Sequence, residues 1–444
     1  MLRSMYRAVV CASLMIAGGA YLAAQTPPFP HLPPLERLPI PPGPPLTLGQ
    51  AIDEALQNNP ALIALRLQFD AARRRPAQWR FLAPPTLSAQ IWQWPIDTVS
   101  PLKTNMYMFT IAQEIPGRGK RDLLAAVAQR DAALAENDIA TSARQTVTDL
   151  KHAYTALMVA RSNVDAFADA AALLRQAADV SDAKYTAGRA TQQDVLKPAA
   201  ELSKLYDGAL TAHQQADLAS AQLNALMGRP VDAGIGPLAD PSAMVPLPSI
   251  DSLMSLAVEH QPELQSARLN IDRAKAELGV VKSEGKPDFM VQGGYMLMPQ
   301  GTDAWTGQVG ITWPSAPWSR GKVSARIAET TSQVTASEAK LRSTENFLRL
   351  AVQQAYVRAT TAATRARLLQ STIVPQTRQT LDASRVGYEA DRVDFLTVLE
   401  NARALVDEQL DYIHAMADLA DARADLERAV GIDLGATSPQ GGRR

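Results

Sequence analysis

The stretch that decides the fold spans residues 287–313 and reads PDFMVQGGYMLMPQGTDAWTGQVGITW. Apolar and polar side chains alternate along its first part, with Phe289 and Val291 on one face and Asp288 and Gln292 on the other. This period of two is typical of a β-strand with one apolar and one polar face. The stretch therefore predicts a strand whose two faces meet different surroundings.

A second strand continues the pattern, with Trp305, Val309 and Ile311 on its apolar face. We place the two strands at residues 287–298 and 304–313, and each has roughly the 9 to 11 residues of a tilted strand that crosses a bilayer. Outside the N-terminus no run of 18 apolar residues exists to serve as a spanning helix. The pattern predicts that the chain crosses a membrane through strands.

The chain is a tandem duplication. An offset of 202 residues, which becomes 203 after an insertion, aligns Pro60 with Pro262, Gln90 with Gln292, Tyr185 with Tyr388 and Gly228 with Gly431. We place the repeats at 47–228 and 249–431, with a proline-rich linker at 229–248 between them. The first repeat then holds its own hairpin, with strands at 86–94 and 107–115.

All six tryptophans lie in or beside the two hairpins. Aromatic belts at the two interfaces of a bilayer explain this placement, and four tryptophans are candidates for such belts: Trp92, Trp94, Trp305 and Trp313. The alternative is a small soluble sheet with tryptophans in its core.

Helices are predicted before and after each hairpin. Thr47 and Gln50 form a candidate capping box, and Asn59 with Pro60 begins a helix that we expect to run to about Leu82. Residues 120–187 contain neither glycine nor proline, which predicts a coiled-coil helix about 100 Å long.

Gly188 ends this long helix, and the chain returns as a second helix over 191–227. The second repeat predicts the same pair at 322–386 and 393–430, with a local kink at Pro375. In each repeat the two shorter helices together match the long one in length.

The N-terminus predicts export. Arg3 and Arg7 precede an apolar run from Ala8 to Ala24, so we expect residues 1–24 to be a cleaved signal peptide, the alternative being a retained single-span anchor. Residues 25–46 then form a proline-rich, extended tether, and residues 432–444 a disordered tail. Cys11 lies in the signal, so the mature chain has no thiol for a disulfide or a metal.

The sequence gives no sign of an enzyme. Its five histidines form no metal-site or catalytic-triad spacing, and we expect no catalytic, cofactor or metal site. The 44 Lys and Arg residues nearly balance the 45 Asp and Glu residues, so nucleic acid is not an expected partner.

Four strands cannot close a barrel, and open sheet edges in lipid are too costly, so several copies must assemble. The motifs at Leu46-Thr47-Leu48, Asn59-Pro60, 185–188 and 194–196 resemble those of the TolC family of outer-membrane efflux proteins, and the resemblance covers residues 46–431. It implies a mainly α fold with a transmembrane β-barrel, in which three copies contribute four strands each to a 12-stranded barrel above a long α-helical periplasmic tunnel.

The resemblance also implies a location and partners. The trimer would lie among outer-membrane lipids of a Gram-negative bacterium and extend into the periplasm. There a periplasmic adaptor (membrane fusion) protein and an inner-membrane transporter, by expectation of the RND type, would dock to its lower end. The implied function is passive passage of drugs or metal ions; the alternatives are a duct for type I protein secretion and a soluble periplasmic coiled-coil adaptor.

The same resemblance assigns roles to two turns and three carboxylates. The turns at Tyr185 to Gly188 and Tyr388 to Asp391 would lie at the periplasmic tip, where helices close the entrance. Carboxylates just beyond them would ring the aperture and attract cations: Asp194, Asp394 and Glu400. The alternative is that they are solvated helix caps.

Two short signals concern the substrate. Residues 113–116 with 119–121 resemble the barrel-to-helix junction of the heavy-metal-efflux branch. Five methionines lie in the hairpins, and their thioethers are soft ligands that suit Cu(I), although methionine is also an adaptable apolar filler: Met106, Met108, Met290, Met296 and Met298.

Overall fold

The structure is a computed structural model that describes residues 33–92, 96, 104–239, 246–299, 301–390 and 392–434. Several sequence predictions lie outside these residues: the signal peptide, the first part of the tether, Trp94, Asp391 and the C-terminal tail beyond residue 434.

The elements of the first repeat are α1 (Leu48–Asn58), α2 (Pro60–Ala72), α3 (Arg75–Gln78), β1 (Thr86–Trp92), β2 (Met106–Ile115), α4 (Lys120–Thr186) and α5 (Gln192–Met227). Those of the second are α6 (Ile250–His260), α7 (Pro262–Ser283), β3 (Phe289–Leu297), β4 (Ala304–Ile311), α8 (Arg320–Leu368), a π-helical turn (Leu369–Ile373), α9 (Val374–Glu389) and α10 (Phe395–Val430). The two sets have the same order, apart from the short α3 of the first repeat and the π-helical turn that divides the long helix of the second into α8 and α9.

The start of the first repeat follows the predicted capping signals. The Thr47 and Gln50 side chains each accept from the other's backbone N–H, which completes the capping box of α1. The Asn59 side chain accepts from the N–H groups of Ala61 and Leu62, and Pro60 occupies the first turn of α2.

The predicted end of that helix near Leu82 is wrong, because α2 ends at Ala72 and only the short α3 follows. Pro76 explains the break. It has no N–H to donate to the Ala72 carbonyl four residues earlier, and its ring would clash with that carbonyl in a continuous helix.

The long helix of the first repeat is continuous. The 67 residues of α4 correspond to about 100 Å, as the absence of glycine and proline predicted. Leu150, Tyr154 and Leu157 on its buried face are almost fully enclosed by α1 and α5. The Tyr154 hydroxyl lies 2.7 Å from the Leu46 carbonyl oxygen and 2.6 Å from that of Ala239, so it fixes both the tether and the linker to α4.

The corresponding helix of the second repeat is interrupted where we expected a kink. The π-helical turn ends at Ile373, two residues before Pro375, which lies in the first turn of α9. A proline cannot donate to the carbonyl four residues earlier, here Ser371, and the wider turn accommodates the missing bond.

Both repeats join their short helices in the same way. The Asn59 amide nitrogen donates to the Leu226 carbonyl at the end of α5, at 2.9 Å, and Gln261, its counterpart, donates to the Arg428 carbonyl at the end of α10, at 3.1 Å. These side chains satisfy carbonyls that a helix end leaves unpaired. The sequence predicted Asn59 as a cap of α2 and not as this link.

The four strands form one antiparallel sheet in the order β1-β2-β3-β4, and the β2–β3 pair joins the two repeats. Strand β4 ends at Ile311, so Trp313 lies beyond it. Within the described residues, no helix combines the length and the apolar character that a membrane span requires.

Candidate functional site: the sheet, its junction and the helix tips

The sheet has one apolar face that is open to the surroundings. Leu87 lies opposite Ile111, and Val291 lies opposite Val309, all on this face. Leu87 and Val309 are each 78% exposed, although both are large and apolar. A contiguous apolar face of this kind is typical of a surface that meets lipid or another protein.

The opposite face is mainly polar. Ser88 lies opposite Thr110, and their hydroxyl groups are 2.7 Å apart. Gln292 lies opposite Gln308 on the same face. Apolar residues on one side and hydroxyl and amide groups on the other are the arrangement of a barrel wall between lipid and an aqueous lumen.

The tryptophans are divided between the two faces. Trp305 lies on the apolar face, is 82% exposed and makes an edge contact with Tyr295, with ring centroids 5.3 Å apart. Trp92 is opposite Met106 and thus lies on the polar face. Trp313, beyond β4, is exposed and contacts Trp318. The belt role stays a prediction, and Trp305 has the placement that suits it.

A salt bridge ties the two repeats together where the sheet meets the helices. The Asp288 carboxylate, just before β3, accepts from Lys120 Nζ at 2.8 Å and from the Gly117 N–H at 2.7 Å. Burial raises the pKa of Asp288, but the bonds from Lys120 and Gly117 and the charge of Lys120 outweigh it, so the pKa lies below its usual value. Gly117 is required here, because a Cβ would lie 2.5 Å from the Pro287 carbonyl oxygen.

The far end of the helices holds the predicted tip turns. Gly188 has a φ of +71°, a left-handed conformation that glycine adopts without steric cost, and it ends the long helix as predicted. In the second repeat the Arg392 N–H donates to the Gly387 carbonyl at 2.8 Å and closes the corresponding turn.

The two tips contact each other through a cation and a ring. Lys184 Nζ lies 3.7 Å from the centroid of the Tyr388 ring, and Tyr388 also packs against Phe395, with centroids 5.7 Å apart. Tyr388 was a predicted tip residue, but Lys184 was not. A cation over an aromatic face is a stabilising contact, and here it joins the first repeat to the second.

Two of the three predicted aperture carboxylates cap helices. Asp194 Oδ2 accepts from the Thr191 N–H at 2.8 Å, and Asp394 Oδ1 accepts from the Thr397 N–H at 3.0 Å. Hydrogen bonds from Thr397 lower the pKa of Asp394. Glu400 is exposed on α10. The capping alternative therefore describes Asp194 and Asp394 well, and the aperture role stays a prediction for all three.

A partly buried polar cluster lies between α4 and α10. His152 Nε2 is 3.5 Å from an Asp425 oxygen, and one Asp421 oxygen is buried with no hydrogen-bond partner. Burial raises the pKa of Asp421 to about 6. Within the described residues, no group of three or more His, Cys, Asp or Glu side chains is arranged to hold a metal ion.

The family model for outer membrane efflux proteins matches residues 253–432, which span nearly all of the second repeat. The first repeat is its duplicate in sequence and in the order of elements. Residues 253–432 thus match the outer membrane efflux protein family, and the chain as a whole is similar to its members.

A relative of this chain is the cobalt-zinc-cadmium resistance protein CzcC of Cupriavidus metallidurans. The two are 23% identical over 392 residues, which are 87% of this chain and 90% of the relative. The alignment therefore includes both repeats.

Solved structures confirm the predicted fold class. The outer-membrane channel OprN superposes with a TM-score of 0.73 at 18% identity, over 86% of this chain and 89% of OprN. The outer membrane protein VceC of Vibrio cholerae gives a TM-score of 0.71 at 18% identity, over 86% of this chain and 96% of VceC. The chain thus has the mainly α fold with barrel strands that the resemblance implied.

Three contacts between side chains were not predicted from the sequence: the cation–ring contact of Lys184 with Tyr388, the salt bridge of Lys120 with Asp288, and the pair of His152 with Asp425. Each joins residues far apart in the chain and in different repeats. Only the Lys120–Asp288 contact had a hint in the sequence, because Lys120 is a basic residue of the junction motif at residues 119–121.

Proposed function

We propose that the chain is the outer-membrane channel subunit of a tripartite efflux system. The observation that carries this proposal is the continuity of one apolar-faced sheet with helices about 100 Å long, in a duplicated order. A channel that crosses a membrane and then a periplasmic space needs both parts in one chain. A soluble adaptor would not need a sheet whose apolar face is exposed.

The sheet supports assembly into a closed barrel. Strands β1 and β4 are its two edges, and the edge of a sheet in lipid would leave backbone groups without partners, at several kcal/mol each. Pairing of β4 with β1 of a neighbouring copy satisfies both edges. Three copies, as the family resemblance implies, give a barrel of twelve strands.

The test is to purify the processed protein in detergent, determine its oligomeric mass and record its conductance in planar bilayers. We expect a trimer that forms pores, including pores that are closed for most of the time. A water-soluble monomer without conductance would overturn the proposal and favour a periplasmic adaptor.

The name of the relative CzcC supports a proposal for the substrate class. CzcC is named for resistance to cobalt, zinc and cadmium, and we propose that metal ions are among the substrates of this channel. The cognate adaptor and inner-membrane transporter would then belong to a metal efflux system. Deletion of the chain in its host should increase sensitivity to these metals, with expression from a plasmid as the control.

The tips would form the periplasmic gate. Glu400 is the carboxylate that tests the proposed charge ring most cleanly, since it is exposed and caps no helix. A ring of three Glu400 carboxylates attracts cations. Glu400→Gln should therefore reduce the cation selectivity of the open pore, measured as a shift of reversal potential in a salt gradient. Glu329→Gln, exposed near the start of α8 at the opposite end of the helices, is the control, and an unchanged reversal potential in Glu400→Gln would contradict the role.

A further inference from the structure

Strand pairing gathers methionines that the sequence only shows as scattered. Met108 lies directly opposite Met296 in the β2–β3 pair. Met106 is two residues before Met108 and lies on the same face, because side chains of a strand alternate. We call these three residues the methionine patch. Met298 lies at its margin, with its sulfur near Gly301.

The geometry allows the three sulfur atoms to converge. Residues directly opposite each other in an antiparallel pair have Cβ atoms about 4.5 to 5.5 Å apart, and residues two apart in a strand are separated by about 6.8 Å. Methionine has three rotatable bonds beyond Cα, so its thioether can cover the remaining distance. All three side chains are half-buried, so part of each remains accessible to an ion.

Packing alone does not account for the patch. It lies on the polar face of the sheet, with Gln90 opposite Met108 on the other side. In the described part of the chain the main contacts of β2 and β3 are with neighbouring strands and with each other. Among the described helices none packs extensively on β2 or β3, so these side chains do not fill an interface between the sheet and a described helix.

The chemistry of the patch selects the ion. Thioethers are neutral, soft ligands that suit Cu(I) and its heavier congener Ag(I), whereas Zn²⁺ and Co²⁺ prefer imidazole, thiolate and carboxylate. We propose that Met106, Met108 and Met296 form a binding site for a soft monovalent metal ion. The assignment of this site to the channel lumen rests on the proposed function, and there it would lie toward the end of the barrel that is farther from the helices.

The test uses Ag(I), which is stable in air, with the purified processed protein, which lacks Cys11, in chloride-free buffer. Isothermal titration and elemental analysis after desalting should give one silver ion per chain. The double variant Met108→Leu with Met296→Leu keeps apolar side chains of similar size, and we expect it to lose at least tenfold in affinity. Zn²⁺ should not bind at the patch.

Met290→Leu is the matched control. Met290 lies on the same strand and face as Met296, six residues away, or roughly 20 Å. Its affinity for silver should equal that of the wild type. Absence of silver binding in the wild type, or equal binding by the double variant, would overturn the proposal. If the double variant fails to fold, Met296→Leu alone and a sulfur-only coordination shell by X-ray absorption decide the question.

The patch lies within one chain, so its test is separable from that of the proposed function. If the protein binds silver but forms no pores, the metal site is supported and the channel function is contradicted. If it forms pores but does not bind silver, the channel function is supported and the metal site is contradicted.

Discussion

At the scale of single residues, Asp421 is a carboxyl whose surroundings are mostly protein and not water. Burial raises its pKa to about 6, and the neighbouring Asp425 and Asp418 act in the same direction, while His152 and the Thr155 hydroxyl oppose them. A carboxyl with a raised pKa keeps its proton in the folded protein at a pH where the unfolded chain has lost it. Its contribution to stability is therefore full below the unfolded pKa of 3.8 and is lost as the pH rises toward 6.

Asp421→Asn should accordingly stabilise the protein at pH 8, by about 1 kcal/mol after a discount for partial exposure, and have little effect at pH 4. Chemical unfolding at the two pH values measures this difference. Asp411→Asn is the control, because the Asp411 side chain is 56% exposed, pairs with Arg365 and is not among the groups that shift the pKa of Asp421. Equal effects of Asp421→Asn at both pH values would contradict the interpretation.

Gly228 is a position where no other residue fits. Its φ is +75°, and a Cβ would lie 2.6 Å from the Asn58 carbonyl oxygen. Gly228→Ala should destabilise the protein by about 2 kcal/mol, from the left-handed conformation and the contact with backbone. Gly49→Ala, in α1 with open space around it, should instead stabilise by up to about 1 kcal/mol. The same sign for both variants in thermal unfolding would refute this explanation.

At the scale of elements, the contact between the two tips makes a prediction about the gate. Lys184→Met keeps most of the side-chain stem and removes the charge over the Tyr388 ring, a loss of about 0.5 to 2 kcal/mol. The tips should separate more readily, and single-channel conductance or open time should increase. Lys204→Met, in which the lost lysine pairs with Glu201 on its own helix, is the control. Unchanged conductance in Lys184→Met would mean that the contact does not restrain the tips.

The elements were predictable where local signals decide them. The absence of glycine and proline fixed α4, and the alternation of side chains fixed the two faces of the sheet. The end of α2 was missed because the pattern of apolar residues was extended past Pro76. The candidate site was harder: the methionine patch depends on the pairing of β2 with β3, and the contact of Lys184 with Tyr388 on the packing of two repeats. Neither follows from the sequence of one segment.

At the scale of the whole molecule, the duplication predicts how neighbouring copies pair. The 202-residue offset aligns Leu87 with Phe289. Leu87 pairs with Ile111 and Phe289 pairs with Ile311, so Ile111 and Ile311 hold equivalent places in the sheet. Ile111 lies opposite Gly293, whose counterpart in β1 is Ile91. If the contact between copies repeats the contact within one chain, Ile311 lies opposite Ile91 of the neighbouring copy.

The variant Ile91→Cys with Ile311→Cys should therefore form covalent trimers on oxidation, seen by electrophoresis under denaturing conditions. Leu87→Cys with Ile311→Cys is shifted by four residues, or about 13 Å, and should not cross-link. Each single-cysteine variant controls for other bonds. Cross-linking of the shifted pair alone would disprove this register.

The proline-rich segment ahead of α1 has a consequence for work with this protein. It was predicted as an extended tether, and its described part lies along α4. Arg37 Nη2 lies 2.7 Å from Asp169, Arg175 donates to the Pro33 carbonyl, and Leu46 lies beside Tyr154. Between Tyr154 and Arg175 the helix advances about 30 Å in the direction of Gly188. An affinity tag or fluorophore attached ahead of Pro33 would therefore lie closer to the tip turns, where we propose that the adaptor docks. A label placed after Leu434 would remain beside the start of α6 and leave the gate free.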